Sequence, residues 1–159
     1  MIPFSEDQIS RYTAKGAWGT ATLDDIFRAN AKVTPNRLAL ADAPNREAVT
    51  SGPPHRYTYF KLDKKIAAIA GALEVAGVRQ DDIVVVQLPN TTDLVVLYLA
   101  MARVGAVISP VPVQYGGHEL NFVIGHLRPR LFVTTDNFKG RDLTDAAHAA
   151  VAKHGCPLF

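Results

Sequence analysis

A glycine pair, Gly116-Gly117, stands between Tyr115 and His118 just ahead of an apolar helical stripe. The first turn of a helix offers unpaired N–H groups and the positive end of a dipole, so such a turn can hold an anion. Tyr115, Gly116, Gly117 and His118 are therefore the candidate cofactor-binding residues. The alternative is a plain flexible connection, because no nearby residue type is built to hold phosphate. Asp81-Asp82 could act as an acid pair, yet it sits directly before a β-branched run, where a solvated turn is expected. Cys156, beside Pro157, has no histidine fixed near it by any motif and reads as a small core residue. The five histidines are His55, His118, His126, His148 and His154. None belongs to an H-E-x-x-H pattern, and His118 and His126 are too far apart to share a helical turn. They read as surface or capping residues, and no metal site is assigned. No catalytic residue is assigned either.

Two phosphate-binding signatures are absent. There is no G-x-x-x-x-G-K-[ST] loop and no G-x-G-x-x-G turn after a strand. The turn that follows the run Ile83–Leu88 is Pro89-Asn90-Thr91-Thr92. It lacks the glycines that let a backbone approach a pyrophosphate, so a dinucleotide-binding domain is not expected.

The elements that would position these residues can be read from periodicity. Residues 1–21 read as an irregular surface arm, and residues 22–159 as an α/β unit. Thr22 and Asp25 mark a helix start, with Leu23, Ile26, Phe27 and Ala31 as its apolar stripe and Pro35 as its end. Leu38–Ala41 and Tyr57-Thr58 are expected to form a hairpin around a mobile loop that holds Pro44, Gly52, Pro53 and Pro54. Thr58 caps the next helix, whose stripe is Leu62, Ile66, Ile69 and Leu73. Gly77 is placed for a left-handed cap.

Ile83–Val86 reads as a strand covered on both faces. The apolar helix after Asn90 stops at Gly105, and residues 106–109 form a second, parallel strand. Leu120, Val123, Ile124 and Leu127 mark another helix, ended by Pro129. Leu131–Thr134 is a third strand. Asp142 caps a last helix bearing Leu143, Ala147, Ala150 and Val151, and Pro157-Leu158-Phe159 begins another strand. The order predicts an α/β fold: a largely parallel sheet with helices on both faces.

Composition narrows the class. The 159 residues are 48% hydrophobic and 20% charged, with a net charge of +2. That is ordinary for a globular domain, which at this size buries ~70% of its unfolded surface. The 17 basic residues form no stripe, so nucleic acid is not an expected partner. The first residues carry two acids and no apolar block, unlike a secretory leader. The longest apolar run, Leu94 to Ala102, falls short of the ~20 residues of a membrane span. One cysteine excludes an internal disulfide framework and fits a reducing compartment, so a cytoplasmic location is expected.

Several ordered segments resemble the amino-terminal part of the acyl-adenylate-forming (AMP-binding) superfamily. They are Thr22–Phe27, Thr34–Leu40, Tyr57–Leu62, Gly77-Val78 and Asp82–Val84. Val86-Gln87-Leu88-Pro89-Asn90 and the arm around Tyr12, Gly16 and Trp18 are similar to aryl-acid AMP ligases of the 2,3-dihydroxybenzoate type. Asp81 stands where the family often has glycine, and Val111-Pro112 where it often has asparagine-proline. The resemblance implies the first part of a large amino-terminal domain. In such an enzyme a carboxylic acid and ATP give an acyl-AMP and pyrophosphate, helped by Mg2+, and a thiol of CoA or pantetheine then displaces AMP. The resemblance also implies that the phosphate loop, the adenine-contacting segment and the catalytic lysine lie beyond this chain. On that reading the chain alone is inactive, and its partner is the remainder of its own polypeptide. A non-catalytic binding or assembly module derived from such an enzyme is the alternative.

Overall fold

Parallel pairing of three apolar strands organises the chain. The computed structural model describes residues 4–159. Its elements run α1 (Glu6–Ala14), α2 (Leu23–Val33), β1 (Leu38–Ala41), a 3-10 turn (Arg46–Ala48), β2 (Arg56–Thr58), α3 (Tyr59–Val75), β3 (Ile83–Gln87), α4 (Thr92–Val104), β4 (Val107–Pro110), α5 (Gly117–Leu127), β5 (Leu131–Thr134), β6 (Asn137–Phe138), β7 (Arg141–Asp142) and α6 (Thr144–His154).

The central sheet has the order β4-β3-β5, with both pairings parallel. Val84 lies opposite Ile108 on one side and Leu131 on the other. Leu158 adds a parallel bridge to Phe132, so the Pro157–Phe159 segment begins a further strand, as its residues predict. Alternation along the strands divides the core. Val84, Val86, Leu131 and Val133 pack with α2, α3 and α4. Val85 and Phe132 pack with α5 and α6 on the opposite face. Val84, Val85 and Val86 are all at most 1% exposed. Burial of each such side chain contributes about 1.5–3 kcal/mol. The sheet thus has helices on both faces.

Local signals set the boundaries. Thr22 and Asp25 exchange bonds in a capping box at the start of α2, and Thr58 accepts the Lys61 N–H at the start of α3. Gly105 ends α4 in the left-handed region at φ 79°, where a side chain would be strained. The helix α4 receives its cap from elsewhere: the Thr92 N–H donates to Asp42 Oδ1 at 2.8 Å.

Four local expectations are corrected. Residues 6–14 are helical rather than irregular, because Ser5 and Gln8 close a capping box over two acids. No residue of α1 is buried, so no apolar stripe announces it. Residues 1–3 of the arm lie outside the described residues. On the arm, Trp18 stacks on Tyr12 and meets Phe4 edge-on, each at 4.9 Å between ring centres. In α2, Leu23 and Ile26 are more than half exposed, while Phe27 and Asp24 are buried. The helix is turned by an ion pair rather than by its apolar residues alone: Asp24 accepts from Arg103 Nε at 2.9 Å. The 43–56 loop is tied down by side-chain bonds. Finally, the last helix starts at Thr144 rather than at Leu143, and Asp142 lies in a small antiparallel hairpin, β6-β7, from which it accepts the Thr144 N–H at 2.7 Å.

Candidate functional site

Because β3, β4 and β5 are parallel, their carboxyl ends share one edge. The strand β3 leads into α4 on one face, whereas β4 and β5 lead into α5 and α6 on the other. Open α/β sheets bind ligands at such a reversal. Here the chain itself occupies the place. Gln87, fully buried at the end of β3, donates through Nε2 to the carbonyls of Tyr115 (3.0 Å) and Pro112 (3.3 Å). The Thr134 hydroxyl donates to the Gln87 carbonyl from β5. These bonds fold the 111–116 segment back over the sheet edge.

The four candidate residues lie together at the start of α5. Tyr115 is half-buried and tethered through its carbonyl, and His118 is exposed. Gly116 N–H donates to Glu119 Oε2 at 2.9 Å. Bonds from the backbone N–H groups of Glu119 and Gly116 hold that carboxyl below the usual glutamate range. An acid of the chain therefore already sits at the positive end of α5. Arg141, beside it, donates to the Gln114 carbonyl at 3.0 Å. Neither glycine has a positive φ, and a Cβ on Gly117 would meet nothing within 4 Å. The pair is not shaped as a cradle against which a phosphate would need bare backbone.

A polar cluster lies nearby, at the start of α4. Arg46 is 6% exposed and donates to Asp42 (3.0 Å), to Asp93 and to the Ser51 carbonyl. Asp42 also accepts from the N–H groups of His55 and Thr92 and from the Thr92 hydroxyl. Burial by itself would raise the Asp42 pKa, but these bonds outweigh it and hold the carboxyl below its ordinary value. Burial likewise raises the Tyr57 phenol, reinforced by the negative charges of Asp93 and Asp42. Next to this cluster is a mostly apolar cavity of about 310 Å³, walled by Leu88, Val96, Leu97 and Val133 and rimmed by Asp93 and Thr135.

The remaining residues singled out by type are scattered. Asp82 accepts the Arg79 N–H in a turn before β3. Cys156 is buried, which pushes its thiol pKa up, and it packs in the α5-α6 core. His154 pairs with Asn121 at 2.8 Å. Among the described residues, no three of His, Cys, Asp or Glu stand together to hold a metal ion. Likewise, no helix among them is long and apolar enough to cross a membrane. Sequence reasoning missed Gln87 and the Asp42–Arg46–Asp93 cluster. One polar residue closing the run Ile83–Val86 is a signal for the first. Nothing in a Pro/Gly-rich loop marks Arg46 as buried.

Residues 27–157, most of the chain, match the family described as AMP-binding enzyme. The chain belongs to that family. Among curated relatives, it is 32% identical over 154 residues to a salicyl-AMP ligase / salicyl-S-ArCP synthetase of Mycobacterium tuberculosis, covering 96% of this chain and 26% of that protein. It is 29% identical over 138 residues to a medium-chain fatty-acid–CoA ligase of Escherichia coli, covering 87% of this chain and 23% of the relative. Among solved structures, the apo form of MbtA from Mycobacterium smegmatis superposes with a TM-score of 0.76 at 29% identity. The match covers 98% of this AMP-binding chain and 27% of MbtA. The chain thus spans about a quarter of the length of these relatives, and its α/β fold is that of their corresponding part.

Proposed function

We propose that this chain is the amino-terminal portion of an ATP-dependent acyl-adenylating ligase, acting in the cytoplasm on a carboxylic acid. The observation that supports this reading is the ordered family match over residues 27–157, laid onto a parallel βαβαβ sheet. A complete ligase of this kind joins a carboxylate oxygen to the α-phosphorus of ATP and expels pyrophosphate, with Mg2+ offsetting phosphate charge. A CoA or pantetheine thiol then takes the acyl group and AMP leaves. The residues described here do not fit the nucleotide. The turn after β3 has no glycine, the start of α5 is filled by Glu119, and no acid cluster offers a metal seat. No step of the reaction is therefore assigned to a residue of this chain. Of the four candidates, Tyr115 is tied to the end of β3 through the Gln87 bond to its carbonyl, and this part of the chain supports the site from behind.

Acid-dependent ATP–pyrophosphate exchange tests this reading. The 159-residue chain is expected to give none with salicylate, 2,3-dihydroxybenzoate or octanoate. Exchange by the chain alone overturns the assignment of nucleotide handling to other segments. Coding sequence beyond codon 159 is expected to supply a Ser/Thr/Gly-rich loop, and an unrelated continuation would sink the ligase reading itself.

A further inference from the structure

Residues 43–56 leave the β1-β2 hairpin and lie over the carboxyl edge of the sheet. Their two feet are joined: Asp42 N–H donates to the His55 carbonyl, and His55 N–H donates back to Asp42 Oδ2, both at 2.9 Å. Between the feet, only Arg46 and Thr50 are buried, and both are polar. No apolar side chain of the segment is buried, so hydrophobic burial does little to hold it down.

What holds it is a set of polar bonds to distant parts of the chain. Thr50 Oγ1 lies 3.1 Å from Thr135 Oγ1 and donates to the Asn137 carbonyl at 3.0 Å. The Ser51 hydroxyl donates to Asp136 at 2.8 Å and accepts from Asn137 Nδ2 at 2.9 Å. Lys139 N–H donates to the Val49 carbonyl. Arg46 bridges Asp42 and Asp93, yet its Nε is buried without a partner. The Asp93 side chain is 41% exposed, so water and salt reach one side of this bridge. Such segments, poor in apolar contacts and rich in polar ones, open at lower free energy than the core.

We propose that residues 43–56 are a lid over the carboxyl edge of the sheet, opening by local unfolding as one cooperative unit, with the Arg46–Asp93 pair as its latch. Opening uncovers Asp93 and Thr135 at the rim of the apolar cavity beside Leu88 and Val133. The lid thus controls solvent access to the β3–β5 side of that edge, beside the cavity.

Amide hydrogen exchange on the 159-residue chain tests this. The Thr50 and Lys139 amides, which donate to Arg46 and Val49, are expected to share one opening constant, at least about 100-fold larger than that of the β3 amides. Asp93→Asn is expected to raise that constant about tenfold at both amides while leaving β3 unchanged. Adding 0.5 M NaCl (about a 4 Å screening length) to the unmodified chain is expected to act in the same direction. The salt series keeps the test decisive if the variant fails to fold. Exchange of Thr50 and Lys139 at the β3 rate, or separate responses at the two amides, would overturn the lid.

Discussion

Gln87 shows how one polar side chain can shape the end of a sheet. Its neighbours in β3 are valines, and any of them would have fitted the core at that position. Its amide instead supplies the donors that the Pro112 and Tyr115 carbonyls need once the 111–116 segment folds inward. Gln87→Leu keeps the volume but leaves the half-buried Tyr115 carbonyl without that donor, while the Pro112 carbonyl keeps the Tyr115 N–H. Leaving a buried acceptor unpaired costs about 1–3 kcal/mol. The expected outcome is a fall of that size in unfolding free energy, measured as a lower urea midpoint with an unchanged slope. A variant as stable as the parent would show that water replaces the amide without loss.

At the scale of elements, Arg103 joins three helices. From the last turn of α4 it pairs with Asp24 of α2 at 2.8 Å and with Asp63 of α3 at 2.7 Å. Burial alone would lower its pKa, but the two carboxylates outweigh that and hold it above the usual arginine value. Arg103→Met retains the stem and removes the charge, leaving the buried Asp24 without this partner. The expected loss is about 2 kcal/mol, read in a denaturant titration, with Asp24→Asn in the same background restoring part of it. Most element boundaries were legible in the sequence, because caps and breakers act locally: Thr22, Thr58, Gly77 and Gly105 end or begin helices through bonds or dihedral angles within a few residues. What escaped the sequence is non-local. The facing of α2 depends on Arg103, 79 residues away from Asp24. The order in the 43–56 loop depends on partners at Asp93 and at 135–139. The glycines mark the turn at 115–118 in the sequence, but the Glu119 bond that fills it depends on how the folded backbone presents the Gly116 N–H.

Taken as a whole, the molecule is sensitive to acid. Asp25, Asp42, Glu119, Asp136 and Asp142 are all held below their ordinary pKa values, mainly by hydrogen bonds to backbone and hydroxyl groups. A carboxyl whose folded pKa is depressed contributes stability that is complete above its unfolded value, about 4, and is lost as pH falls through the folded one. Thermal melts are therefore expected to hold level from pH 7 to about 5 and then drop steeply below about 4. Proton uptake on unfolding should be detectable calorimetrically in that lower window. A melting temperature independent of pH between 5 and 2.5 would contradict these depressed values.

The aromatic trio on the arm has a practical corollary. Trp18 is the sole indole in the chain. It touches Phe4 and also Tyr12, which belongs to a helix with no buried residue. Its emission will therefore follow fraying of the amino-terminal segment and miss the collapse of the valine strands. Circular dichroism at 222 nm and tryptophan emission should give two different transition curves. Their separation would measure how weakly residues 4–20 are coupled to everything after them.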